Sequence, residues 1–247
     1  MNVLLWMIGA AWAQDEFSPI ERTLPANAPQ LSIRSGKADV VVRRDPGLRT
    51  SMVTVTPNRW YEGCSVAFSG DSTIAIAEVL EEGEPSAWRC TATFDVVLAG
   101  DTAVDVRLTK GDVSVESLSA PLTIEMKRGR VVGSPAQADI QLGRGRVNLD
   151  DLTTPVNVNI GVGWINLAYA TSIAGTVTAD VGWGRVTTHF PYGILLDDAT
   201  ETKVGWVNSE IPWREGEPTI LQASAGLGSV QVRTDLGVLS QGLAEAN

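Results

Sequence analysis

One phrase recurs through the C-terminal half of the chain: a glycine, one variable residue, then Val or Ile. The glycines are Gly111, Gly129, Gly145, Gly163, Gly184, Gly205 and Gly228, and two places on stand Val113, Val131, Val147, Ile165, Val186, Val207 and Val230. The steps between glycines are 18, 16, 18, 21, 21 and 23 residues. Units of that length are too short to bury a core alone, so their regular return marks stacked turns of chain, each leaning on its neighbours, rather than a globule around one centre.

The grammar inside each unit is constant. A strand alternates inward, as at Ala138, Ile140 and Leu142 or at Val156, Val158 and Ile160; a glycine corner follows; then one or two apolar residues point inward again, as at Val147 and Leu149 or Ile165 and Leu167. This predicts an all-β fold, a parallel β-solenoid of the β-helix or β-roll type with about seven short two-stranded turns. At about 4.8 Å per turn such an array is a rod on the order of 30 Å long.

Four corners have the form G-x-G, at Gly143 and Gly145, Gly161 and Gly163, Gly182 and Gly184, and Gly226 and Gly228. Both glycines of each pair are expected where backbone turns sharply or takes a positive φ. None of the pairs has the third glycine of a dinucleotide fingerprint, and each leads into a β-branched strand instead of a helix, which excludes a phosphate cradle. Calcium-binding β-rolls place an Asp two residues after the second glycine, where this chain has only Val or Ile. The pairs Asp150 with Asp151 and Asp197 with Asp198 do not recur and are read as solvated loop residues, so no metal site is expected.

Before the array the alternation is irregular. Short strands are expected around Leu31 and Ile33, Val53 and Val55, Ile74 to Val79, and Phe94 to Leu98, with an exposed loop over Leu80 to Ser86. The chain therefore divides into residues 14–100, an irregular N-terminal β region, residues 101–235, the repeat array, and residues 236–247, a polar tail. Residues 1–13 form an uncharged apolar run closing on Ala11, Trp12 and Ala13, the small-x-small form of a leader-peptidase site. They are read as a cleaved export signal, the alternative being a buried N-terminal strand. No later stretch reaches the roughly 18 apolar residues of a membrane-spanning helix, so no transmembrane segment is expected. The product would be exported to periplasm, cell surface or medium.

In an exported chain the two cysteines, Cys64 and Cys90, are expected to pair, closing a loop of about 25 residues. Two separate thiols are the alternative; their spacing is unlike C-x-x-C, which argues against redox work. The formal charge of −10 argues against nucleic acid or an anionic membrane as a partner. Yet Lys127, Arg128, Arg130, Arg144 and Arg146 crowd into one short stretch, which places a basic face on an acidic body.

The run from Phe94 to Val115, followed by repeats of the Gly-Asp-Val and Gly-Arg-Val kind, resembles the bacterial adhesin-like domains of unknown function, exported β-solenoids of the cell envelope. The resemblance covers roughly residues 30 to 235 and rests on repeat grammar. That family has no accepted catalytic residues, so the resemblance implies an exported binding module and transfers no site. The Cys pair and the tryptophan-bearing corners depart from its pattern.

Those corners carry the functional expectation. Arg128 and Arg130, Arg144 and Arg146, Trp164, Trp183 and Arg185, and Trp206 flank successive glycines. Stacked in register they form a ladder from a basic end to an aromatic end, suited to a glycan bearing carboxylate or phosphate; the alternative is that the same side chains only pack on one another. No enzymatic activity and no cofactor are expected, because no nucleophile–base or metal-ligand motif is present and the single histidine, His189, is read as a loop residue. A solenoid polysaccharide enzyme would draw carboxylates from separate turns, with Glu125, Asp139 and Asp180 as the candidates. A closed outer-membrane barrel is disfavoured by the short strands and the lack of aromatic girdles. The partner is thus a glycan or envelope polymer, or a protein if the role is that of a structural scaffold pairing through an open edge.

Overall fold

The computed structural model describes residues 18–24, 29–70, 74–82, 84–85, 89–198, 200–211 and 218–235. The expected export signal and the tail at 236–247 lie outside the described residues. Fifteen strands and no helix are found among them: β1 (Ile20–Thr23), β2 (Gln30–Arg44), β3 (Met52–Arg59), β4 (Cys64–Gly70), β5 (Ile74–Glu81), β6 (Glu84–Pro85), β7 (Thr91–Leu98), β8 (Ala103–Glu116), β9 (Pro121–Gly133), β10 (Gln137–Leu152), β11 (Asn157–Tyr169), β12 (Gly175–Pro191), β13 (Asp197–Asp198), β14 (Glu201–Ser209) and β15 (Thr219–Asp235). They form one sheet, mostly parallel, whose strand order is an open path and not a closed ring.

Each repeat unit is one continuous strand, not the two short ones expected, of 13 to 17 residues in β8 to β12 and β15 and of 9 in β14. The glycine divides it into two arms. In β10 the buried apolar residues before Gly145 are Ala138, Ile140 and Leu142, and those after it are Val147, Leu149 and Leu152. Leu142 and Val147 are an odd number of positions apart, so in a straight strand they would face opposite sides. Both are buried, so the chain turns at the glycine and both arms aim their side chains at a common interior.

These rungs lie on one another without slippage at the corner. Gly111, Gly129, Gly145, Gly163, Gly184 and Gly228 are register partners in succession, and Gly205 pairs with Gly228. The interior is therefore built of columns, such as Val113, Val131, Val147, Ile165, Val186 and Val230, all buried. Polar ladders outside the core add to the stacking: Asn166 donates to Asn148 at 2.7 Å, and Asn157 to Asp139 at 3.2 Å.

One column holds a polar intruder. Thr188 is fully buried between its register partners Leu167 and Val232, and its hydroxyl has no hydrogen-bond partner. A buried hydroxyl without a partner costs about 1 to 3 kcal/mol, and valine has nearly the same shape. Thr188→Val is accordingly expected to raise stability by about 1 kcal/mol, read as a higher midpoint in urea at unchanged slope.

The ends of the stack depart from chain order. After β12 the chain forms β13 and β14, then returns as β15, which lies between β12 and the β13–β14 rung. At the other end β2 is itself a rung: it pairs with β8 on one side, and on the other with β5 through Gln30–Arg34 and with β7 through Lys37–Arg44. Beyond these, β1–β3–β7 and β4–β5–β6 are antiparallel. The segment expected as a loop over Leu80 to Ser86 is partly a tight hairpin, with Leu80 opposite Pro85 and Glu81 opposite Glu84. Cys64 and Cys90 form a disulfide, with Cα atoms 5.7 Å apart, joining the start of β4 to the residue before β7. It ties together the two ribbons that flank β2. Beside it the Tyr61 hydroxyl donates to Glu81 at 2.7 Å, and this hydrogen bond to a carboxylate raises the tyrosine pKa.

Candidate functional site

The corner glycines carry no side chain, so the residues immediately before and after them stand as two walls along one edge of the stack. The wall before the glycine reads Lys37, Lys110, Arg128, Arg144, Val162, Trp183, Leu227 and Val204 in spatial order. The wall after it holds Asp112, Arg130, Arg146, Trp164, Arg185, Ser229 and Trp206. All eight residues named from the sequence, Arg128, Arg130, Arg144, Arg146, Trp164, Trp183, Arg185 and Trp206, are exposed members of these walls.

Between the walls around β9 to β12 runs an open groove of about 560 Å³, floored by Gly129, Gly145, Gly163 and Gly184 and flanked by Arg144, Arg146, Trp164 and Trp183. The Arg146 guanidinium lies 4.9 Å from the centre of the Trp164 ring, a cation–π contact of about 0.5 to 1 kcal/mol at an exposed site. That contact holds one ring upright on the groove wall. Trp183 is 62% exposed and has no ring or cation–π partner among the described residues. Trp206 departs from its expected place: it follows Trp183 in the repeat sequence, but the inserted β15 separates their rungs, putting Leu227 and buried Ser229 between them.

The basic wall has two further members, on β8 and β2. Lys110 precedes Gly111, and Lys37 is its register partner on β2. The signal for Lys37 lies in the sequence: Lys37-Ala38-Asp39-Val40 is the phrase Lys110-Gly111-Asp112-Val113 with alanine in place of glycine. Ala38 keeps an ordinary negative φ, whereas Gly111 does not.

The carboxylates considered for an enzyme are spread apart. Glu125 and Asp180 share a column on the outer face but stand three rungs apart, about 14 Å, with Gln141 and Asn159 between them. Asp139 lies in a neighbouring column and accepts from Asn157, while Asp180 accepts from Ser224 at 2.7 Å. The two aspartates are thus occupied in stacking contacts, and the Glu125–Asp180 pair is wider than the about 5 to 9.5 Å that retaining or inverting pairs need. His189 sits within β12 as the register partner of Ala168 and Arg233, not in a loop. Asp150 and Asp151 are not loop residues either: they form the irregularity between Leu149 and Leu152 in β10, with Asp151 at φ 52°. Among the described residues there is no cluster of three or more metal-ligating side chains, and no helix long and apolar enough to cross a membrane.

No family model matches the chain, and no curated protein matches it. Among solved structures it is similar to a putative cell adhesion protein from Clostridium sporogenes, at 16% identity and TM-score 0.40 over 88% of this chain and 99% of the other. A putative adhesin from Bacteroides fragilis gives 13% and 0.44 over 88% and 97%. One from Parabacteroides distasonis gives 10% and 0.39 over 88% and 97%.

Proposed function

We propose that the chain is an exported, noncatalytic, adhesin-like binding module whose rungs coil into a β-solenoid and whose glycine corner recognises an envelope or extracellular glycan. One observation carries this reading: exposed guanidinium groups and tryptophan rings on successive rungs, arranged as the walls of a groove with a side-chain-free floor. Tryptophan offers a flat apolar face to the C–H surface of a pyranose, and the arginine fork pairs bidentately with carboxylate or phosphate. The coil is supported by the change of burial parity at the corners of β8 to β12, which a flat sheet does not produce. Export is supported by the apolar stretch ending at Ala13 and by the disulfide, since such bonds persist in oxidising compartments.

A scaffold role has a separate observation in its favour. Strand β14 is exposed along almost its whole length and, among the described residues, pairs with β15 alone, leaving one edge open to another chain. Replacing Trp164 and Trp183 together by alanine separates the two readings. Loss of anchoring rings is expected to weaken glycan binding in calorimetry at least tenfold, about 1.4 kcal/mol. Because both rings are more than half exposed, melting should fall by less than about 4 °C. Unchanged affinity for every glycan the parent protein binds, together with a large fall in melting temperature, would assign the rings to packing and leave the scaffold.

A further inference from the structure

The edge is divided in two. On β2, β8, β9 and β10 every residue before the corner is a cation, namely Lys37, Lys110, Arg128 and Arg144, whereas on β11, β12, β15 and β14 the same column is Val162, Trp183, Leu227 and Val204. Four cations on adjacent parallel strands repeat at about 4.8 Å along a line of about 14 Å. Arg130 and Arg146 add a second row across the corner from Arg128 and Arg144.

Like charges side by side on neighbouring strands are destabilising. The chain has 29 acidic residues with which to relieve them, yet none of these six cations has a salt bridge among the described residues. Asp39, the nearest acid on β2, is engaged elsewhere, accepting from the Asp112 amide at 3.0 Å. By contrast Arg43, Arg44 and Arg107, also exposed or nearly so, are each paired with an aspartate. No acid stands in this column, while across the corner Asp112 is the register partner of Arg130.

A single phosphate or sulfate is held by donors that converge on a point. Here the donors lie in line, and the last of them, Arg144, borders the groove that Trp164 and Trp183 also flank. We infer that the cationic half of the corner binds a linear acidic polysaccharide lying along the stack, one carboxylate per rung, and that Lys37 and Lys110 belong to this site with Arg128 and Arg144. The inference rests on the reading of the corner as a glycan site and fixes the class of glycan and its direction. An extended uronate chain carries a carboxylate on every sugar along its length, and its sugar faces then reach the tryptophans.

Oligogalacturonates of increasing length, titrated against the protein at several salt concentrations, test it. Affinity should rise with each residue up to about four and then level off. The slope of log K against log salt should be about −3 for four contacts, on the scale of about 0.7 per contact for single-stranded polyanions. Lys110→Gln and Arg144→Gln, both at exposed positions, should each reduce that slope by about 0.7 without lowering the melting temperature. Equal affinity for fully methyl-esterified oligomers, or for a single-stranded DNA oligonucleotide, would overturn the assignment. Neutral oligosaccharides bound as tightly as acidic ones, with binding lost on Trp164→Ala, would overturn this inference while the glycan reading stands. Absence of binding to any oligosaccharide would remove both.

Discussion

Alanine at Gly184 is expected to prevent the stack from closing. A Cβ built there lies 1.7 Å from the carbonyl oxygen of Gly163 on the rung below, and the residue has φ +149°. Neither problem can be relieved by a side-chain movement, because the obstructing atom is backbone and the backbone is fixed by register pairing on both sides. If the rungs are seated corner on corner, forcing them apart at one point costs hydrogen bonds in both arms. The loss should exceed about 4 kcal/mol, the range reserved for severe core and backbone faults. The variant should be recovered unfolded or aggregated, or melt more than about 10 °C below the parent. Gly100→Ala is the control, since nothing lies within 4 Å of its added Cβ, and it should change melting by less than about 2 °C. A Gly184→Ala protein with native melting would mean that the corners are not in contact.

The second large effect concerns the disulfide. Cys64 and Cys90 are 26 residues apart, and removing their bond returns about 3.5 kcal/mol of chain entropy to the unfolded state. The expected fall in melting temperature for Cys64→Ala with Cys90→Ala is roughly 10 °C. Both sulfurs are buried, so part of any loss comes from packing. Reduction of the parent protein with dithiothreitol separates the terms, because it breaks the bond and leaves the atoms in place. A parent protein whose melting is the same oxidised and reduced would show that the β4–β5 ribbon is held by its own pairing alone.

The repeat could be read from sequence because its two constraints act locally. A glycine is required where a neighbouring carbonyl leaves no room for Cβ, and two positions later an aliphatic residue turns inward on every rung but β14, where Val207 is exposed. Every rung with that grammar lies in the sheet. The first glycine of each G-x-G pair was read less well. Gly161 is not among the residues with positive φ; a Cβ there would instead meet the Gly143 carbonyl at 2.6 Å, a crowding that depends on the rung below and is invisible in one segment. The same holds for β2, whose Ala38 hides the corner phrase, and for the partners of β5 and β7, which pair across dozens of residues. At the candidate site the arginines and tryptophans were legible from their position beside the glycines. Their neighbours in space were not, because the order of the last two rungs is set by a long return of the chain rather than by any local residue.

That return has a consequence for how the molecule is assembled. Strand β14 is made before β15, yet among the described residues its only partner is β15. The outermost layer therefore waits, without a surface to rest upon, until Thr219–Asp235 arrives and slides in beneath it against β12. A chain shortened before Thr219 would lose an inner course of the masonry and strand the one above it. At this end the chain cannot add its rungs in the order in which they occur in the sequence.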